Sequence, residues 1–257
     1  MSDAWRADFA AAPPFAHLGP WARELAGSGW PDPARLNRLA ASARLVNASG
    51  LPVSFQAQTR RCGQRDYEAG ILATGEVPTR ERNWHDLLNA LTWLAFPQAK
   101  AALNALQCRQ LETGSRRGPV SDAATLFDES GLVLVGGDDG LAGLLAGRDW
   151  KAAFVTRRNA WSGVRPYVIG HAVLEKLLAP WPGITAKCLF LPVAELPRAG
   201  PPPAWLDRAI AEAWRRGGIT RPAELFPVPV LGIPGWWPDN EDAAFYDNRE
   251  VFRPARG

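Results

Sequence analysis

Apolar positions recur along this chain with two periods, and the helical one is the clearer. From Pro33 to about Asn47, Leu36, Leu39, Ala43 and Val46 form one stripe; Asp32 is placed to cap its start and Gly50 lies just past its end. Farther on, Trp84, Leu87, Leu88, Leu91, Leu94 and Ala95 share a face behind Asn83, an N-cap residue, with Asp86 three positions later as in a capping box. Pro97 interrupts that run, and Gln98 to Leu106 continues it as a second helical piece. Trp205 to Arg216 predicts another helix, stopped by Gly217 and Gly218. Leu141 to Thr156 predicts a helix weakened by Gly143 and Gly147, and Tyr167 to Leu178 one that is apolar nearly all round.

The shorter period predicts strands. Leu51 to Gln58 and Tyr67 to Val77 read as two, joined by an arginine-rich loop, and Lys187 to Val193 as another. Ala123 to Val135 reads as a β-hairpin, Thr125–Phe127 and Leu132–Val135 flanking the turn formers Asp128, Glu129, Ser130 and Gly131. The expected fold is therefore α+β, or mixed α/β: several helices packed on a small, mostly antiparallel sheet. The start is irregular and the last segment, rich in Pro and Trp, wraps the body. One globular domain over residues 1–257 is expected, with a sub-domain edge at the Pro-rich stretch 197–203.

Composition narrows the setting. Hydrophobic residues are 47% and charged residues 21%, which excludes a disordered chain. The longest uncharged apolar stretch, Leu87 to Ala99, is too short to span a bilayer, and no secretory signal opens the chain, so no membrane role is expected. Cys62, Cys108 and Cys188 are far apart and odd in number, as free thiols in a cytoplasmic protein would be. Lysine occurs only at Lys100, Lys151, Lys176 and Lys187, so arginine supplies nearly all the positive charge. Its doublets never lengthen into a basic tract, and nucleic acid is not indicated as a partner.

Several longer motifs stand out: Asn83-Trp84-His85-Asp86-Leu87-Leu88-Asn89 running on to Pro97, Thr125 to Gly131, Gly170-His171-Ala172 with Leu174-Glu175-Lys176, and Gly232-Ile233-Pro234-Gly235-Trp236-Trp237. In these the chain resembles the bacterial family known as domain of unknown function 3025, from about Asn83 to Pro254. The resemblance implies a bacterial protein of this size and carries over no catalytic residues, so the chemistry is read from the residues themselves.

There are three histidines. His17, in the Pro-rich start, reads as a surface residue. His85 lies opposite the leucine stripe of its helix, with Asn89, Thr92, Trp93 and Phe96; Trp and Phe on that face imply that protein or ligand covers it. In a first helical turn the macrodipole favours the neutral ring that a metal ligand or base requires. His171 and Glu175 stand one turn apart and could bind one metal together, although an ordinary pair at the core edge has the same spacing. Asp128 and Glu129 could add a carboxylate or serve only the turn, and the acidic cluster Asp239 to Asp242 reads as a solvated loop. Phosphate-binding, dinucleotide and serine-nucleophile motifs are missing. Cys62 lies among Arg60, Arg61 and Arg65 but has no partner base.

Two functions stay open. One is a metal-assisted hydrolase: a divalent ion held by His85, His171 and Glu175, with His85, Asp128 or Glu129 acting in catalysis. Asn89 and Trp93 would line the site, and Arg116 or Arg158 would hold a phosphate or carboxylate substrate. The other is a non-catalytic binding module gripping a partner through its tryptophans, with structural histidines.

Overall fold

The computed structural model describes residues 4–27, 29–58, 63–112, 118–137 and 139–255. Two 3-10 segments, Phe9–Ala11 and Pro13–Leu18, lead into α1 (Gly19–Leu25) and α2 (Pro33–Ser42). Then come β1 (Ser54–Ala57), α3 (Gln64–Thr74) and β2 (Glu76–Thr79), followed by three successive helices, α4 (Trp84–Ala95), α5 (Pro97–Glu112) and α6 (Pro119–Ser130). The rest comprises β3 (Gly131–Gly136), α7 (Asp139–Ala146), β4 (Val164–Val168), α8 (His171–Leu177), β5 (Thr185–Pro192), α9 (Ala204–Arg215) and β6 (Phe226–Pro229), ending in 3-10 turns. The class is α+β, as expected. The larger sheet has the order β4-β3-β5-β6, antiparallel at both outer pairings and parallel between β3 and β5; β1 and β2 pair in parallel by themselves.

The predicted caps form. Asp32 accepts from the Arg35 amide at 2.8 Å and Asn83 from the Asp86 amide at 3.0 Å. The box at Asn83 is one-sided, because the Asp86 carboxylate turns away to Arg80. After Pro97 the α5 amides of Gln98 and Ala99 both donate to the Asp207 carboxylate of α9, each at 2.9 Å, a cap supplied from a distant helix. Helix α2 stops before Asn47, since Arg44 takes a left-handed φ of 50° and Asn47 donates to the carbonyls of Ile71 and Leu72 instead.

Several predicted elements are corrected. Tyr67 to Thr74 is helical, with Glu68 and Ile71 buried on one face. Gly75 ends that helix at φ 77°, where an added Cβ would lie 2.2 Å from the Pro52 carbonyl. The predicted hairpin is a helix followed by a strand. Ala123, Ala124 and Phe127 form a fully buried helical stripe on α6, so Asp128 and Glu129 lie in a last helical turn. β3 then pairs with β4 and β5, not with the segment before it. The apolar run from Tyr167 is split between β4 and α8, because Ile169 and Gly170 both donate to the Gly131 carbonyl, at 3.0 and 2.9 Å. α7 ends at Ala146, and Arg148 at φ 58° turns the chain into a short π-helical turn over Ala152–Thr156.

His17 is buried rather than at the surface: its Nε2 donates to the Val168 carbonyl at 2.8 Å, and burial lowers its pKa to about 4. The tail packs as the wrap that its rings imply. Phe154 stacks on Trp161 and Tyr246 at 5.2 and 5.3 Å, Phe252 is buried beside them, and Trp150 Nε1 donates to the Arg253 carbonyl. No helix among the described residues is long and apolar enough to cross a membrane.

Candidate functional site

Three helix ends meet at one point: the starts of α4 and α8 and the end of α6. Glycine permits the approach. A Cβ on Gly170 would lie 2.3 Å from the Gly131 amide nitrogen, and one on Gly131 2.4 Å from the Phe127 carbonyl. Two bare backbones therefore touch, and that contact sets His171, the first residue of α8, against Asp128 and Glu129 in the last turn of α6. His85 enters from the first turn of α4, which the Asn83 cap fixes.

The two imidazoles stand edge to face, with ring centroids 4.5 Å apart at 75°, and their Nε2 atoms are separated by 3.1 Å. Only His85 has a carboxylate in hydrogen-bond contact with its other nitrogen. Nδ1 of His85 is 2.9 Å from Oε2 of Glu175, and Nδ1 of His171 is 4.0 Å from Oδ2 of Asp128 and lacks a well-formed hydrogen bond. Oε2 of Glu129 lies 3.5 Å from Nε2 of His171. Ligand atoms of His85, Glu129 and His171 all fall within 4.8 Å of one another, a grouping fit to hold a metal ion. Glu175, read from sequence as a metal ligand together with His85 and His171, stands behind His85, its Oε2 on Nδ1 of that ring.

The centre opens into a cavity of about 530 Å³. Asn89 and Trp93, the predicted lining residues, are both on its wall; Asn89 Nδ2 donates to the Tyr67 hydroxyl at 3.1 Å. Phe96, on the same helical face, points elsewhere and packs on His17 and Tyr167. Deeper in, Lys100 is buried, donates to Asp128 at 2.5 Å and lies 5.7 Å from the Trp93 ring centroid. Asn104 Nδ2 donates to the carbonyl and carboxylate of Glu68, at 2.9 and 2.7 Å. At the rim, the Arg80 amide, Nε and Nη2 all donate to Asp86.

Electrostatics differ sharply within this small space. Burial, with the Lys100 charge next, brings the His171 pKa down to about 3 and keeps the ring neutral. For Asp128, burial acts to raise the pKa, but Lys100 and then His171 outweigh it and hold the carboxyl below its ordinary value. Burial and then the Asp128 charge raise both Glu129 and Glu68, the latter to about 7.

Of the residues singled out from sequence, His85, Asn89, Trp93, Asp128, Glu129, His171 and Glu175 come together here. Arg158 does not: it donates to Asn240, Tyr246 and Glu241 and pins the C-terminal wrap. Arg116 and Cys62 lie outside the described residues. Sequence reasoning missed Arg80, Lys100, Tyr67 and Glu68. Lys100, Asn104 and Gln107 did leave a signal: a polar stripe at helical spacing within an alanine- and leucine-rich run, buried throughout.

A family model described as "Protein of unknown function (DUF3025)" matches residues 53–256, thirty residues farther toward the N-terminus than the motifs read from sequence. No curated protein and no solved structure matches the chain.

Proposed function

The chain belongs to the family described as protein of unknown function (DUF3025), and from the geometry of its centre we propose that it is a metal-assisted hydrolase in which His85, His171 and Glu129 hold one divalent ion. One observation carries this reading: ligand atoms of His85, Glu129 and His171 lie within 4.8 Å of one another beside a cavity, with Glu175 behind His85. Glu175 calls for a proton on Nδ1 of His85. On His171 the nearer carboxylate, Glu129, faces Nε2 at 3.5 Å, the same side as His85. A proton on Nδ1 of His85 leaves its Nε2 lone pair facing Nε2 of His171 at 3.1 Å, a position that a cation could share with Glu129.

Metal–nitrogen bonds of about 2.0–2.1 Å would let both Nε2 atoms hold one ion. Carboxylates behind ligating histidines are the usual second layer of such sites, fixing tautomer and ring orientation. Two histidines and one carboxylate leave positions for water and substrate. An ion held by His85, His171 and Glu129 would supply an activated water for hydrolysis of a carboxylic or phosphoric ester near neutral pH. A purely binding role would draw on the tryptophans, of which Trp181 and Trp205 are exposed; the tail rings of Tyr246 and Phe252 are spent on internal packing.

Metal content tests the reading. Protein incubated with Zn²⁺, Mn²⁺ or Fe²⁺ and desalted should keep about one equivalent; His85→Ala, His171→Ala and Glu129→Ala should each lose it. The loaded protein should hydrolyse a chromogenic ester or phosphoester. Retention of no ion, equal retention by the variants, or retention of iron alone without hydrolysis would overturn it.

A further inference from the structure

We infer that Arg80 is the anchor for an oxoanion, a carboxylate or phosphate, carried by the substrate of this centre; the inference rests on the metal reading above. Three cations were candidates for that role besides the ion itself. Lys100 is 3% exposed and its ammonium is committed to Asp128. Arg158 is committed to the C-terminal wrap. Arg80 alone among these lines the cavity with its side chain half exposed, at 53%.

Its position is built. Asp86 takes one edge of the guanidinium as a fork, Nε at 2.9 Å and Nη2 at 2.7 Å, and also the Arg80 amide at 2.6 Å. Asp86 is in turn fixed by the cap at Asn83, and Arg82 holds a left-handed φ of 52° to make the turn between them. The guanidinium is thus tied to the same helical turn that carries His85. A group bound to its outer edge lies in the same cavity as His85, Glu129 and His171, and no flexible side chain has to be ordered first.

Charge accounting points to an anion. In the cavity Arg80 is matched by Asp86 and Lys100 by Asp128, and burial raises the Glu68 pKa to about 7, so that it is about half protonated at neutral pH. Two carboxylates remain, the ligand Glu129 and Glu175 behind His85. A divalent ion offsets those two charges and leaves the outer edge of Arg80 to meet an oxoanion, whereas the metal-free centre is net negative and repels one.

The experiment uses full-length protein, metal-free and Zn²⁺-loaded, titrated calorimetrically with inorganic phosphate and, in a second arm, acetate, at low ionic strength. Loaded wild type should bind at least one of them. Arg80→Gln should weaken that binding about tenfold and leave the Zn²⁺ affinity unchanged. Arg80→Lys, which keeps charge but not the fork, should fall between and serves as the test should the Gln variant not fold. The arm with the larger loss names the anion. Equal binding by wild type and either folded variant overturns the Arg80 assignment and leaves the metal centre standing; a wild type that keeps no metal overturns both.

Discussion

Glu175 offers the sharpest quantitative test of the centre, because it touches a ligand without being one. Its Oε2 accepts from Nδ1 of His85 at 2.9 Å, and the side chain is 26% exposed, so its removal strands no deeply buried partner. Carboxylates in this position typically contribute ten- to a hundredfold to metal affinity. With Zn²⁺ at a hundred times the wild-type dissociation constant, binding stabilises the fold by about 2.7 kcal/mol, or about 5–10 °C in melting temperature for a chain of this size. Glu175→Gln keeps an acceptor for Nδ1 but loses the charge; a tenfold weaker site leaves about 1.4 kcal/mol of that gain. Glu175→Ala loses both, and a hundredfold weaker site leaves about 0.4 kcal/mol. Scanning calorimetry of the three proteins, with and without the ion, reads the series directly. Metal-free melting temperatures should agree within a few degrees. A zinc-induced shift that is undiminished in Glu175→Ala would refute the idea that this carboxylate orients a ligand.

Three further outcomes are expected. Gly170→Ala should destabilise by at least about 2 kcal/mol and lose the ion, because the new methyl must push the Gly131 backbone away; a variant of wild-type stability by urea unfolding contradicts this. Asp207→Ala, which leaves the amides of Gln98 and Ala99 without an acceptor, should cost about 2–4 kcal/mol and Asp207→Asn about half as much; equal, small losses would show that α5 needs no cap from α9. His17 has a folded pKa of about 4, below its unfolded value, so the unfolded chain binds the extra proton first. Its stabilising effect is complete above about pH 6.5 and is lost as the pH falls toward 4, by about 3 kcal/mol in all. In His17→Gln that part of the acid dependence should vanish; identical slopes in wild type and variant would count against the assignment.

Local signals in the sequence determined the helices whose ends carry their own chemistry. Asp32 and Asn83 cap where they stand, Pro97 divides α4 from α5, and α9 ends ahead of Gly217, because capping and backbone preference act within a turn. The covered second face of α4, with His85, Asn89 and Trp93, was legible for the same reason: helical periodicity sorts side chains by face. Short apolar runs were not legible. Thr125–Phe127 fits a strand as well as a helix, and only the buried stripe of Ala123, Ala124 and Phe127, together with the β3–β4 and β3–β5 pairings, decides between them. The centre lies beyond local rules altogether. His85 and His171 are 86 positions apart, and nothing near either one says that their Nε2 atoms meet. Spacing on α8 made Glu175 the natural companion of His171. Tertiary packing gave it to His85 and brought Glu129 in from α6, because Gly131 and Gly170 let two helix ends touch backbone to backbone. Periodicity fixes which face a side chain occupies; which other face it meets depends on how closely the chains can approach.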